Sequence, residues 1–376
     1  MVKLSFGVVA GSGALVALVV AYRRQRIDED GALREATRLH TERFTTAVSQ
    51  LGDESAAVRL GGIHALAGLA DDAPSRNLRQ TCIDVLCAYL RLPYVYGQTD
   101  NQEARTAYLA LREVRHTVIR LIRDHLRLPP EDPHSWQGHD FDFEGAVFDG
   151  GDFTGAIFSS GRVSFTHTEF FSGKTDFSEA SFSGARVIFN RAIFSNGVVN
   201  FDNARFSGEV SFDDAHFKNS YVSFNRIKQP QGVISYKGAT FSDGIARFNR
   251  ARFSGEVSFT DAEFSGTATL FDYAVFSRGA ASFDRIRLSG SAVNFGAAKF
   301  LNEQLDFSGA ELEEGSIAFH DAIFMGGQIA ISEAHFLGAH VDFSGACGVA
   351  PLTIWGLEDA LPNGLTLPDS WAPPPR

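Results

Sequence analysis

From about residue 141 onward the chain keeps a regular beat of large apolar residues. Phe143, Phe148, Phe153 and Phe158 are five apart. The steps then alternate between seven and five through Phe165, Phe170, Phe177, Phe182, Phe189, Phe194, Phe201 and Phe206. An irregular middle carries Phe217, Phe241 and Phe253. The beat resumes at Phe264 and continues through Phe271, Phe276, Phe283, Leu288, Phe295, Phe300, Phe307, Leu312, Phe319, Phe324, Ile331, Phe336 and Phe343. Two positions before each of these sits a smaller apolar residue. It is mostly Ala where a five-step closes (Ala180, Ala192, Ala204) and mostly Val, Ile or Leu where a seven-step closes (Val187, Val199, Leu305). The residue between is usually polar. Period-two alternation over so few residues, followed by Ser-Gly, Asp-Gly or Asn-Gly, predicts short strands ended by corners.

The alternation also sets the number of faces. Stacked coils must lay like corners over like corners. An odd number of faces would set five-steps over seven-steps, and two faces leave no room for Phe. Four faces and about 24 residues per coil follow, so residues 141–347 predict a quadrilateral β-helix about 40 Å long. Two steps, Phe206 to Phe212 and Phe253 to Phe259, are one residue short, which predicts that both deletions fall on the same corner. Gln229, beside Pro230, stands where an apolar ladder residue is due and predicts a local bulge or loop over residues 225–233.

Before the repeat, apolar residues recur three and four apart over residues 27–130 and predict four helices. The first runs from about Glu29 to Leu51, and Asp53 opens a second that ends near Leu69. Ser75 caps a third, stopped by Pro93, and Asn101 or Thr99 opens a fourth that ends before Pro129. A HEAT- or armadillo-like unit and a plain bundle both fit. Residues 131–140 read as a linker. Residues 348–376, rich in Pro, read as a cap and a disordered tail, with Leu352, Trp355 or Leu357 covering the open end of the coil.

Leu4 to Tyr22 is uncharged and mostly apolar, near the length that spans a bilayer. Arg23, Arg24 and Arg26 follow it. Residues 1–26 therefore predict a single transmembrane anchor and basic flank, with everything after it in the cytoplasm. A signal peptide is the rival reading.

Composition changes this picture little. Of 376 residues 34 are Phe, nearly all after residue 140, as a repeat requires. The net charge of −11 argues against general binding to nucleic-acid phosphates. Three cysteines, Cys82, Cys87 and Cys347, give no disulfide framework and suit a reducing compartment. No phosphate loop, zinc motif or nucleophile elbow is present, and His40, His64 and His116 are too far apart for a metal spacing, so no catalytic, metal or cofactor site is expected. One cluster stands out. Arg226 and Arg250 should stack on adjacent coils, and Arg205 and Arg252 should share a corner. With Lys228 and Arg247, these cations are candidate partner contacts.

The segments DFTGAIF, DFSEASF, DDAHF and DAEFSG resemble the pentapeptide-repeat family. That resemblance implies a right-handed four-sided β-helix. The stretch from Arg43 to Asp72, with Asp84 to Arg91, resembles the helical region of membrane-anchored pentapeptide-repeat proteins of actinomycetes. The expectation is a non-enzymatic, membrane-tethered scaffold that binds an unknown protein partner. Some members of the family mimic DNA and bind type II topoisomerases, which makes a DNA mimic the alternative.

Overall fold

The computed structural model describes residues 2–94, 101–301, 303–330, 332–350 and 364–371; for residues 2–16 and 303 only the backbone is described. The chain forms two compact units, Met1–Ile83 and Asp84–Arg376. All four predicted helices are present, and the boundary between the units falls inside the third.

The first unit holds α1 (Val2–Leu51), α2 (Ala56–Asp71) and the start of α3 (Arg76–Arg91). Gly62 sets how closely α1 and α2 approach. A Cβ added there would lie 2.8 Å from the Ala47 carbonyl oxygen and 2.9 Å from Gln50 Cβ. Ile63, Leu66, Ala67 and Ala70 are buried on this side of α2. Arg79 donates to the carbonyls of Ala70 and Asp71, at 2.7 and 3.1 Å, and so closes the C-terminus of α2. The predicted break between anchor and first helix is absent, because α1 runs without interruption. No helix among the described residues is long and apolar enough to cross a membrane. Most of the predicted span falls on residues 1–16, whose side chains lie outside the described residues.

The second unit contains the end of α3, then α4 (Gln102–Arg127), then the coil. Asn101 opens α4 as expected, its side chain accepting from the Glu103 and Ala104 amides. Residues 131–140, read as a linker, are packed. Trp136 is fully buried and stacks on His125, with ring centroids 4.1 Å apart.

The repeat forms four parallel sheets, one per face. The first runs from Phe141–Asp142 to Gly327–Ala330 and the second from Val147–Phe148 to His335–Phe336. The third runs from Gly151–Asp152 to Leu365–Thr366 and the fourth from Ile157–Phe158 to Cys347–Gly348. Among the described residues they hold 9, 9, 10 and 9 strands. The 24-residue coil is seen directly where Phe300 pairs with Phe324 and Phe182 with Phe206. Val187 pairs with Val210 and Ile234 with Val257, so both one-residue deletions lie between the fourth and first faces.

The five-step has a simple cause. After a ladder Phe the chain turns through a left-handed residue, and the next Ala amide donates back to the Phe carbonyl. Examples are Ala146 to Phe143 at 2.9 Å and Ala192 to Phe189 at 3.0 Å, with Gly145 at φ +70° and Arg191 at φ +56°. Ala fits just inside this turn with a bond of 2.9–3.1 Å, whereas Ile227 and Ile286 at the same position lengthen it to 3.4 Å.

The ladder residues fill the interior. Phe194, Phe217 and Phe241 stack at 4.6 Å intervals, and across the coil Phe177 meets Phe189 edge to face at 6.0 Å. Phe148, Phe158, Phe170, Phe182, Phe206, Phe253, Phe264, Phe276, Phe300 and Phe324 are likewise buried, and Phe336 is half-buried. The bulge or loop expected at residues 225–233 does not form. Lys228–Gln229 stays in register with Arg252–Phe253. Gln229 is buried at the ladder position because its amide donates to the carbonyls of Gly232 (3.2 Å) and Glu256 (2.8 Å).

At the far end, Trp371 covers the last coil. It is 3% exposed, and its ring meets Phe324 at 5.4 Å. Leu352, Trp355 and Leu357, and the tail after Trp371, lie outside the described residues.

Candidate functional site

A parallel coil leaves a ring of unpaired backbone groups at each end. At the start of the rod, arginines meet them. Arg115 donates to the carbonyls of Val147 (2.6 Å) and Leu90 (2.8 Å), Arg127 to Thr154 (2.6 Å) and Arg91 to Asp142 (3.1 Å). Arg91 and Arg123 also pair with the carboxylates of Asp142 and Asp152. The apolar stripe of α4, Val114, Val118, Ile119, Ile122 and Leu126, is buried. Gly150 and Gly151 seat the helix: a Cβ on Gly151 would lie 2.9 Å from Ile119 Cδ1.

Asp149 is the centre of this latch and is 5% exposed. Its Oδ2 accepts from Tyr108 (2.6 Å), Tyr94 (2.7 Å) and Arg112 Nε (3.0 Å), while its Oδ1 lies 3.2 Å from His116 Nε2. Burial alone would raise the carboxyl pKa. The hydrogen bonds from His116, Tyr108 and Tyr94 and the His116 charge outweigh it, so the carboxylate is held well below its usual range. Burial and the neighbouring Asp149 charge push both phenols up. Burial lowers the Arg115 guanidinium, which lies 4.3 Å over the Tyr94 ring. A carboxylate this acidic and this fully hydrogen-bonded is a weak proton acceptor. The arrangement is suited to holding α4 against the coil.

Sequence reading missed this cluster and said of His116 only that it makes no metal spacing; it is helical and partly exposed. The available signal was Tyr108, Arg112 and His116 at four-residue spacing on one helix face, together with Asp149-Gly150-Gly151. His40 is buried with Nε2 3.1 Å from the Leu69 carbonyl. His167, His216, His320 and His335 are exposed on the rod. Among the described residues no group of His, Cys, Asp or Glu has a metal-binding arrangement.

The cations singled out from the sequence fall into three settings. Arg205, Lys228 and Arg252 are consecutive partners on the fourth face, all pointing outward and exposed. Arg226 and Arg250 occupy the left-handed position of the adjoining corner on adjacent coils, at φ +56° and +59°. Tyr273 continues that corner column. It is 60% exposed and carries the Arg250 guanidinium 5.6 Å from its ring centroid. Arg247 stands apart: it is half-buried at the end of a third-face strand and lies over the Tyr221 ring at 5.1 Å.

Residues 177–227 match the family described as Pentapeptide repeats (9 copies). The match lies within the coil and agrees with its repeat architecture. A comparison with curated proteins found no match.

Proposed function

We propose that this chain is a non-enzymatic scaffold, tethered by its N-terminal helix to a membrane and presenting its β-helix to a protein partner in the cytoplasm. The observation that carries the reading is how the polar chemistry of the second unit is used. Its convergent cluster of buried titratable groups, around Asp149, is saturated by contacts that hold α4. The coil interior is packed with stacked rings, which leaves the four outer faces as the working surface. Such a surface suits protein recognition, since each strand repeats its side chains at a fixed rise.

Support for the tether is the uncharged run from Leu4 to Tyr22 followed by Arg23, Arg24 and Arg26, together with the exposure of Leu18, Val19, Val20 and Tyr22 on α1. Right-handed winding is what the family resemblance implies for the coil. The DNA-mimic reading has less support, because Arg205, Lys228 and Arg252 interrupt the acidic surface that it needs.

Cross-linking in native membranes followed by identification of the captured proteins tests the scaffold. Repeated recovery of no specific partner sinks it. Alkaline extraction of membranes tests the tether: the full chain is expected to stay with the lipid, and a chain lacking residues 1–22 to be released.

A further inference from the structure

The rod places an acid beside many of its arginines. Arg287 lies between Glu263 (3.2 Å) and Glu311 (3.1 Å) on successive strands of the second face. Arg285 pairs with Asp261 at 2.7 Å, Arg186 with Glu209 at 3.1 Å and Arg191 with Asp214 at 3.6 Å, each one coil away. The fourth face does the opposite. Arg205, Lys228 and Arg252 are stacked in register about 4.8 Å apart, with no ion pair among the described residues. Arg226 and Arg250 add two more such cations on the adjoining corner. Like charges directly opposite one another on neighbouring strands are unfavourable. Five of them side by side, on a chain whose net charge is −11, form a local cationic edge that makes no ion pair among the described residues.

We propose that this edge docks an acidic segment of a protein partner, with Tyr273 as its aromatic border. The proposal rests on the scaffold reading and names the surface that scaffold uses. A protein is favoured over a lipid surface because the strip is narrow, about two side chains wide. Its composition, arginines beside an exposed tyrosine, is also that of protein interface centres. Face-to-face charge complementarity would steer the encounter and make it sensitive to salt.

Lys228→Glu is the informative substitution. It sets an acid between Arg205 and Arg252, the inverse of the paired Glu263–Arg287–Glu311 column, so the rod should fold at least as well as before. The probe is a fluorescent poly-glutamate decapeptide, titrated against the full chain in detergent at low and high salt. The expected result is binding that weakens as salt rises and falls at least about tenfold in Lys228→Glu, with the denaturation midpoint unchanged or raised. Lys218→Glu, on another edge, should bind as the unsubstituted chain does. Equal binding by Lys228→Glu overturns the proposal, as does absence of any salt-sensitive peptide binding. A Lys228→Glu chain that loses only a preference for phosphatidylserine-containing over neutral vesicles assigns the edge to lipid and also overturns it. Cross-linking separates the two levels. If Lys228→Glu captures the same partners as the unsubstituted chain, this edge is wrong and the scaffold stands; if neither captures any, the scaffold itself fails.

Discussion

Asp149 keeps its charge in a buried site only because four side chains donate to it, and that dependence gives a pH signature. Its folded pKa is depressed, so its contribution is fully present above the unfolded carboxyl pKa of about 4 and is lost as pH falls through the lower folded value. Asp149→Asn should destabilise the second unit by about 2–3 kcal/mol at neutral pH, since it turns the charge-assisted hydrogen bonds from Tyr94, Tyr108 and Arg112 into weaker neutral ones. In denaturation at descending pH, the gap between the two proteins should stay constant to about pH 5 and then narrow. A gap independent of pH would refute the assignment. The ladder makes a different residue-scale prediction. Phe217 stacks on both Phe194 and Phe241, so Phe217→Ala should cost about 3–5 kcal/mol, read from the denaturant midpoint. The cysteines separate by burial: desolvation raises the Cys82 thiol to about 11 and the Cys87 thiol to about 12, while Cys347 is exposed. A thiol reagent should therefore label one cysteine in the native chain and three only on unfolding.

The contact between α4 and the first coil shows what the sequence made legible at the scale of elements and what it hid. The strands were readable because one local rule, a small residue two before a large one, repeats at fixed spacing and is enforced by the same corner turn each time. The shared corner of the two deletions could be read for the same reason. Gln229 misled because its polarity was visible while the carbonyls of Gly232 and Glu256, which accept its amide protons, belong to the next corner and the next coil. The latch was hidden because it joins Tyr94, three residues of one helix and a corner aspartate, a set with no repeat to announce it. Trp371 went unforeseen as a cap because it reaches the open end only after a short strand, Leu365–Thr366, has carried the chain back to the rod. The seat of α4 can be tested as a pair. Gly151→Ala should weaken the docking by about 1–3 kcal/mol through overpacking against Ile119. Ile119→Val should recover part of that loss, measured as a coupling of at least about 0.5 kcal/mol in a double-mutant cycle. Additive losses would mean that the two residues do not meet.

For the second unit as a whole, the decisive problem is its ends. A β-helix has no edges along its sides but two open ends, each offering unpaired backbone groups and the apolar ladder to any similar surface. At the N-terminal end, the end of α3 and α4 cover the first coil, and arginines bind the carbonyls of Asp142, Val147, Asp149 and Thr154. At the other end Trp371 lies over Phe324 and Phe343. If capping is the task of α4, removing it should change association before it changes the coil. Two truncations isolate the effect, because both lack the apolar N-terminal run: one beginning at Asp84, the other at Phe141. The chain from Asp84 should sediment as one species across a wide concentration range. The chain from Phe141 should retain its β-sheet circular dichroism but gain mass with concentration, as exposed first coils pair end to end. Because Asp142, Asp149 and Asp152 lose their arginine partners at that end, high salt should screen their repulsion and promote the association rather than dissolve it. A truncated rod that stays monodisperse at every concentration would show that the first coil protects itself, and would leave α4 and its Asp149 latch in need of another role.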